Sequence, residues 1–180
     1  PYYDDGTATL YHGDAREIVG ALPDASIDFI FTDPPYGHNN NNGDLISKIE
    51  RAIPSRRKSG DDGSMVYEAR PIANDGPEAN DLARWLFGTA KRVLRNGSCC
   101  CCCCGGGPDP QFARWSLWMD EVLNFKQMVV WDKGPMGMGW HYRRSYEVVL
   151  VAQRDTGKCA WYDETDRIEN IVRHIPKVIP

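Results

Sequence analysis

A short apolar strand that ends in Asp33-Pro34-Pro35-Tyr36 constrains this chain more than any other feature. Ser26-Ile27-Asp28-Phe29-Ile30-Phe31-Thr32 is rich in β-branched and aromatic residues and bounded by turn formers, so it predicts a buried strand. Open α/β sheets bind their ligands at the carboxyl ends of strands, where this tetrapeptide falls. Its two prolines fix the backbone and remove two N–H donors, which leaves carbonyls to accept. A carboxylate, a rigid carbonyl and an aromatic face then converge. A flat ring bearing an amino group suits that set: Asp33 and the Pro34 carbonyl accept the two amino hydrogens, and Tyr36 stacks on the ring. Asp-Pro and Pro-Pro are also ordinary turn signals, so a plain strand-ending turn is the alternative.

Asp-Pro-Pro-Tyr-Gly behind an apolar strand resembles the catalytic motif of S-adenosylmethionine-dependent amino-methyltransferases, above all the DNA enzymes acting on adenine N6 or cytosine N4. Further pieces match in order. Leu10-Tyr11-His12-Gly13-Asp14-Ala15 resembles the start of the permuted branch, in which the catalytic motif precedes the glycine motif of the cofactor site. The stretch from Ala90 to Ser98 is similar to that family's helix end, glycine turn and next strand, and Val129–Lys133 with Tyr146–Ala152 resembles its later strand pair. The resemblance implies an α/β, Rossmann-like methyltransferase sheet, with residues 1–180 as one partial catalytic domain. It assigns catalysis to Asp33, Pro34, Pro35 and Tyr36, and S-adenosylmethionine binding to Asp14, Ala15, Asp33 and Pro34. An N-cap role for Asp14, with Glu17 as capping-box partner, accounts for the same acid.

The family's Phe-x-Gly-x-Gly loop is not in this sequence. Only about thirty residues precede the catalytic strand, too few for the strand-helix-strand crossover of a full cofactor half. Gly105-Gly106-Gly107 is a poor substitute, with Pro108 behind it and no Phe ahead. The expected sheet is therefore incomplete, lacking its glycine-loop half. Because an initiator Met is commonly removed before Pro, Pro1 points to the far end as the place where that half belongs.

Composition is that of an ordinary globular protein, with 42% hydrophobic and 26% charged residues. No apolar run approaches the ~20 residues that span a bilayer, and no secretory signal is visible, so a cytoplasmic location is the expectation. The net charge of −4 is unlike that of a nucleic-acid binder. Local clusters temper this: Lys48, Arg51, Arg56, Arg57 and Lys58 follow the catalytic turn, and Lys133, Arg143 and Arg144 flank a Gly-rich loop. These, with Trp140, are the candidate DNA contacts, a basic lip rather than a basic body; solvated loop charges are the plainer account. Of seven cysteines, Cys99–Cys104 run unbroken and Cys159 stands apart. Zinc needs spaced ligand pairs that this run does not supply, so no metal is expected and the run reads as a central buried strand.

Residues 37–77 lose periodicity, which predicts a mobile lid or DNA-contacting insertion, or else a tether. Glu78–Arg95 returns to helical spacing, with Leu82, Trp85, Leu86, Ala90, Val93 and Leu94 on one face. Lys91, Arg92 and Arg95 read as complements of its dipole. A second helix over about 110–123 would pack through Trp115, Leu117, Trp118 and Val122. Met136, Met138 and Trp140 tip the Gly-rich loop and suit wedging a base step, or simple hairpin packing.

The expected reaction is methyl transfer to an exocyclic amino group of a base flipped from double-stranded DNA. Asp in the first motif position leans toward adenine N6. Cytosine N4, an amino group in RNA or in a protein glutamine, and a non-catalytic DNA-binding fragment are the rivals. A homodimer and a cognate restriction enzyme are partners that the resemblance leaves open.

Overall fold

The computed structural model describes residues 1–39, 58–59, 65–66, 72–104, 111–134, 141–165 and 167–173. A small hairpin, β1 (Tyr3–Asp4) with β2 (Thr9–Leu10), precedes helix α1 (Ala15–Gly20) and strand β3 (Ile27–Thr32). A second short pair, β4 (Lys58–Ser59) and β5 (Met65–Val66), is separate from the main sheet. Then come helix α2 (Glu78–Val93), strand β6 (Leu94–Cys104), helix α3 (Gln111–Asp120) and strands β7 (Asn124–Asp132), β8 (Tyr146–Gln153) and β9 (Ile171–Val172). The main sheet runs β3-β6-β8-β7-β9. β3 and β6 are parallel, β8 is antiparallel to both its neighbours, and β9 is parallel to β7.

Strand period two explains how a run of six identical residues can be both core and surface. Cys100, Cys102 and Cys104 are fully buried, with Leu150 and Ala152 of β8 beside them. Phe87, Ala83 and Ala90 of α2 and Trp115 and Met119 of α3 belong to the same core. Cys99, Cys101 and Cys103 are half-buried on the opposite face, in register with Gln153, Val151 and Val149. The reading of a central strand holds. The reading of β3 as buried does not: it forms one edge of the sheet, and Phe29 and Phe31 are 55% and 65% exposed. Apolar composition cannot separate a strand covered on both faces from one covered on a single face.

The helices show a related correction. α2 buries Ala79, Ala83, Phe87, Ala90 and Val93, while Leu82, Trp85 and Leu86 lie half-buried on its flank. Small alanines let the helix approach the sheet closely, so its inner face is less bulky than the expected stripe. On α3, Trp115 is buried but Leu117 is exposed, as is Val122 just beyond the helix end. Arg84 of α2 stacks over Trp118 at 3.9 Å.

Lys91 and Arg92 in the last turn of α2, and Arg95 at the start of β6, hold the fold through specific partners. Arg92 donates to the carbonyls of Val19, Gly20 and Leu22 and to Asp24, which closes the carboxyl end of α1. Lys91 pairs with Asp155 and Arg95 with Asp28. Among the described residues no helix is long and apolar enough to cross a membrane.

Candidate active site

Asp33-Pro34-Pro35-Tyr36 sits directly behind β3, at the carboxyl end of the parallel pair. Asp33 is exposed and the next five residues are half-buried. The Tyr36 hydroxyl donates to Asp33 Oδ1, which ties the aromatic ring to the carboxylate. Burial, and then the Asp33 bond and charge, pushes the Tyr36 hydroxyl far above its ordinary range, so it stays protonated as that donor. Cys103 lies close enough to feel Asp33 and Glu147; burial first, then these charges, pushes its thiol up to about 11.

The turn after the motif is seated by a residue that sequence reasoning passed over. Asp75 is buried, and its Oδ1 accepts from the backbone N–H groups of Tyr36 at 3.1 Å, Gly37 at 2.9 Å and His38 at 3.2 Å. A carboxylate gathering several amides is a strong, charge-assisted arrangement. Gln111, at the start of α3, adds a bond from Nε2 to the Tyr36 carbonyl at 3.0 Å. Gly37 has φ +80, a backbone that favours glycine, and a Cβ there would stand 3.1 Å from Gln111 Nε2, which would have to give by a few tenths of an ångström. His38 meets the Tyr36 ring edge-on, with centroids 6.1 Å apart. Burial lowers its pKa, opposed by Asp75 and reinforced by Arg144. The Asn74-Asp75-Gly76-Pro77 turn ahead of a helix was the available signal for Asp75.

The other expected site residues divide. Asp14 is the N-cap of α1, accepting from Arg16 N at 2.8 Å and Arg16 Nε at 3.3 Å, and Ala15 begins the helix in an exposed position. The Arg16 backbone N–H, then its side chain, holds the Asp14 carboxyl below the usual range. Both bonds fall on Oδ1, so the other oxygen can accept from a ligand. Arg144 is half-buried and near His38, within reach of the motif. Arg143 is exposed. Lys133 is paired with Glu147, and its ammonium lies 5.6 Å from the Trp131 ring centroid. Lys48, Arg51, Arg56, Arg57 and Trp140 lie outside the described residues, as do the side chain of Lys58 and most of the expected lid.

Helices packed over one face of a mixed sheet, with an Asp-Pro-Pro-Tyr turn at the carboxyl end of a parallel strand, define a Rossmann-like methyltransferase fold. Solved structures agree. TTHA0409 of Thermus thermophilus, an inferred DNA modification methylase, superposes with a TM-score of 0.58 at 18% identity, over 93% of this chain and 68% of that one. PvuII DNA methyltransferase, cytosine-N4-specific, gives 0.58 at 14% identity, over 90% and 55%. The profile of the N6/N4 DNA methylase family matches residues 27–174, and the chain belongs to that family. Type II methyltransferase M2.LlaDCHI of Lactococcus lactis subsp. cremoris is 36% identical over an alignment of 52 residues that covers 26% of this chain and 19% of that protein. The chain thus spans about a fifth of that relative.

Proposed function

We propose that this chain carries the catalytic part of an S-adenosylmethionine-dependent DNA methyltransferase, acting on the exocyclic amino group of a flipped base, with adenine N6 favoured. The observation that carries this reading is the exposed Asp33 carboxylate held against the Tyr36 ring at the carboxyl end of β3. An incoming amino group replaces the Tyr36 hydroxyl on Asp33, and the Pro34 carbonyl takes the second amino hydrogen. The ring is then released to stack on the base, worth roughly 1–3 kcal/mol against the cost of unstacking. An exocyclic amine is a poor nucleophile because its lone pair is delocalised into the ring. Acceptors at both hydrogens favour a more tetrahedral nitrogen and stabilise the positive charge that develops on it.

The residues present fit a methyl donor of this kind in part. Asp33 and Pro34 offer acceptors at the strand end, and the unused oxygen of Asp14 suits an adenine amino group. When bound, S-adenosylmethionine supplies an activated methyl on a sulfonium. Among the described residues, Arg144, whose charge reaches His38 beside the motif, and its neighbour Arg143 are the candidate basic contacts to the DNA backbone, with Lys133 paired to Glu147. The favoured base rests on the Asp that opens the motif, and the likeness to a cytosine-N4 enzyme leaves the amino group as the shared target.

The test is labelled-methyl transfer to unmethylated DNA alongside calorimetric titration with S-adenosylmethionine. Asp33→Ala should abolish transfer while leaving the melting curve unchanged, and near-full activity in that variant would sink the mechanism. A second reading, a non-catalytic DNA-binding fragment, is favoured by the absence of a Phe-x-Gly-x-Gly segment from the sequence. It requires DNA binding with no response to the cofactor.

A further inference from the structure

The structure brings Cys159, remote in sequence, to Cys99: their Sγ atoms are 2.9 Å apart. A bulge near the start of β6 and the turn after β8 interlock to hold them there. Gly97, with φ +84, packs so closely on the turn after β8 that a Cβ on it would stand 2.6 Å from the Lys158 carbonyl. A Cβ on Gly157 would stand 2.8 Å from Gly97 N. Gly157 N donates to Asn96 Oδ1 at 3.0 Å, and Gln153 Nε2 donates to the carbonyls of Gly97 at 2.9 Å and Gly157 at 2.6 Å. Gly97 N donates to Arg154 O and Arg154 N to Ser98 O, which extends the seating on both sides. Both cysteines are half-buried and line an open cavity of about 710 Å³ with Phe29, Cys101, Trp161 and Tyr162.

We propose that Cys99 and Cys159 are a redox modification site that closes to a reversible disulfide, fixing the 157–163 segment across this groove. Closure needs the sulfurs to move together by about 0.9 Å to reach the ~2.05 Å bond. The other thiols have no such partner within the run. Adjacent cysteines of β6 point to opposite faces, and alternate ones stand roughly 7 Å apart along the strand, beyond disulfide reach. Cys100, Cys102 and Cys104 are in addition sealed under the helices.

The oxidant is a low-molecular-weight disulfide such as oxidised glutathione. Cys99 is held inside β6, where burial and then the Cys159 contact push its thiol up to about 12, whereas Cys159 lies in the loop beyond β8, so the first attack is assigned to Cys159. The Cys159 thiolate breaks the glutathione S–S bond, forming a mixed disulfide and releasing one glutathione. Cys99 then loses its proton and attacks Cys159 Sγ of the mixed disulfide, forming the Cys99–Cys159 bond and expelling the second glutathione, which takes up that proton. The two thiol protons end on the two glutathiones, and the protein pair loses the two electrons that they gain.

Thiol counting by mass after oxidised glutathione treatment, with maleimide tagging of the denatured chain, tests this. The wild type should fall from seven thiols to five, with no glutathione retained, and recover on reduction. Cys159→Ser should keep all six, Cys99→Ser should stop at one glutathione adduct on Cys159, and Cys101→Ser should fall from six to four. Oxidation should raise the wild-type Tm by roughly 5–10 °C and leave that of Cys159→Ser unmoved. Retention of seven thiols by the wild type, or loss of two in Cys159→Ser, overturns the proposal. Should Cys159→Ser not fold, peptide mapping of the oxidised wild type decides: a cross-link from the Cys159 peptide to the cysteine-run peptide supports it, and any other pairing overturns it.

Discussion

Two turns lie at opposite ends of the β3–β6 pair, and they are held in different ways. At the carboxyl end, residues 36–38 hang on one buried atom: Asp75 Oδ1 gathers three amides, with Gln111 in support. At the amino end, residues 96–98 and 153–158 interlock through backbone packing, amide side chains and the Lys91–Asp155 pair. The first arrangement concentrates its hold in a charge and leaves Asp33 and Tyr36 accessible beside it. The second spreads its hold over contacts that tolerate no added atom. On the proposed function, the turn that must admit a substrate is positioned by hydrogen bonds to one charge, and the one that only joins strands is positioned mainly by packing.

Breaking the packed turn should cost most. Gly97→Ala forces a left-handed backbone worth about 1–2 kcal/mol and drives a methyl into the Lys158 carbonyl, adding roughly 1–3 kcal/mol. Urea unfolding should show a loss of about 2–5 kcal/mol with the m-value retained. Breaking the charged turn should cost less stability and more function. Asp75→Ala leaves three half-buried amides without their shared acceptor, a loss of about 2–3 kcal/mol. Misplacing Tyr36 by an ångström should lower methyl transfer on the order of 100-fold. If Gly97→Ala reduced transfer per folded molecule as severely, the distinction between the two turns would be false.

The difference also explains what could be read in advance. The strand before Asp33, the buried cysteine strand, both long helices and the later strand pair were legible because each rests on local periodicity. The exposure of Phe29 and Phe31 was not, since it depends on which face of the sheet receives a layer. Alanines on the inner face of α2 carry little hydrophobic signal, so periodicity points to the bulkier flank instead. Asp33 and Tyr36 were legible from a contiguous motif, whereas Asp75 acts from 39 residues away in a turn of ordinary composition. Cys159 looks solitary in the sequence for the same reason: its partner is 60 positions away, brought near by two glycines.

Smaller perturbations sharpen the contrast at the surface. Lys91→Met removes a partly solvated ion pair from the packed turn, and such pairs contribute little. The Tm should change by no more than about 2 °C, and the change should shrink in high salt. A loss as large as that from Gly97→Ala would show that charge, not packing, holds this end too.

The charged turn should instead respond to pH through His38. Burial lowers its pKa from the ordinary 6.5, with Arg144 acting in the same direction and Asp75 against them. The folded state therefore binds this proton less readily than the unfolded chain does. The associated stability is fully present above pH 6.5 and is lost as pH falls through the depressed folded value. His38→Asn removes the titrating group, so the Tm difference between wild type and variant should be constant above about pH 7. Below that it should drift against the wild type as pH falls toward the depressed folded value, by a few degrees at most. Equal pH profiles for the two proteins would mean that His38 leaves the turn when it charges, and that Asp75 alone sets the conformation beside Tyr36.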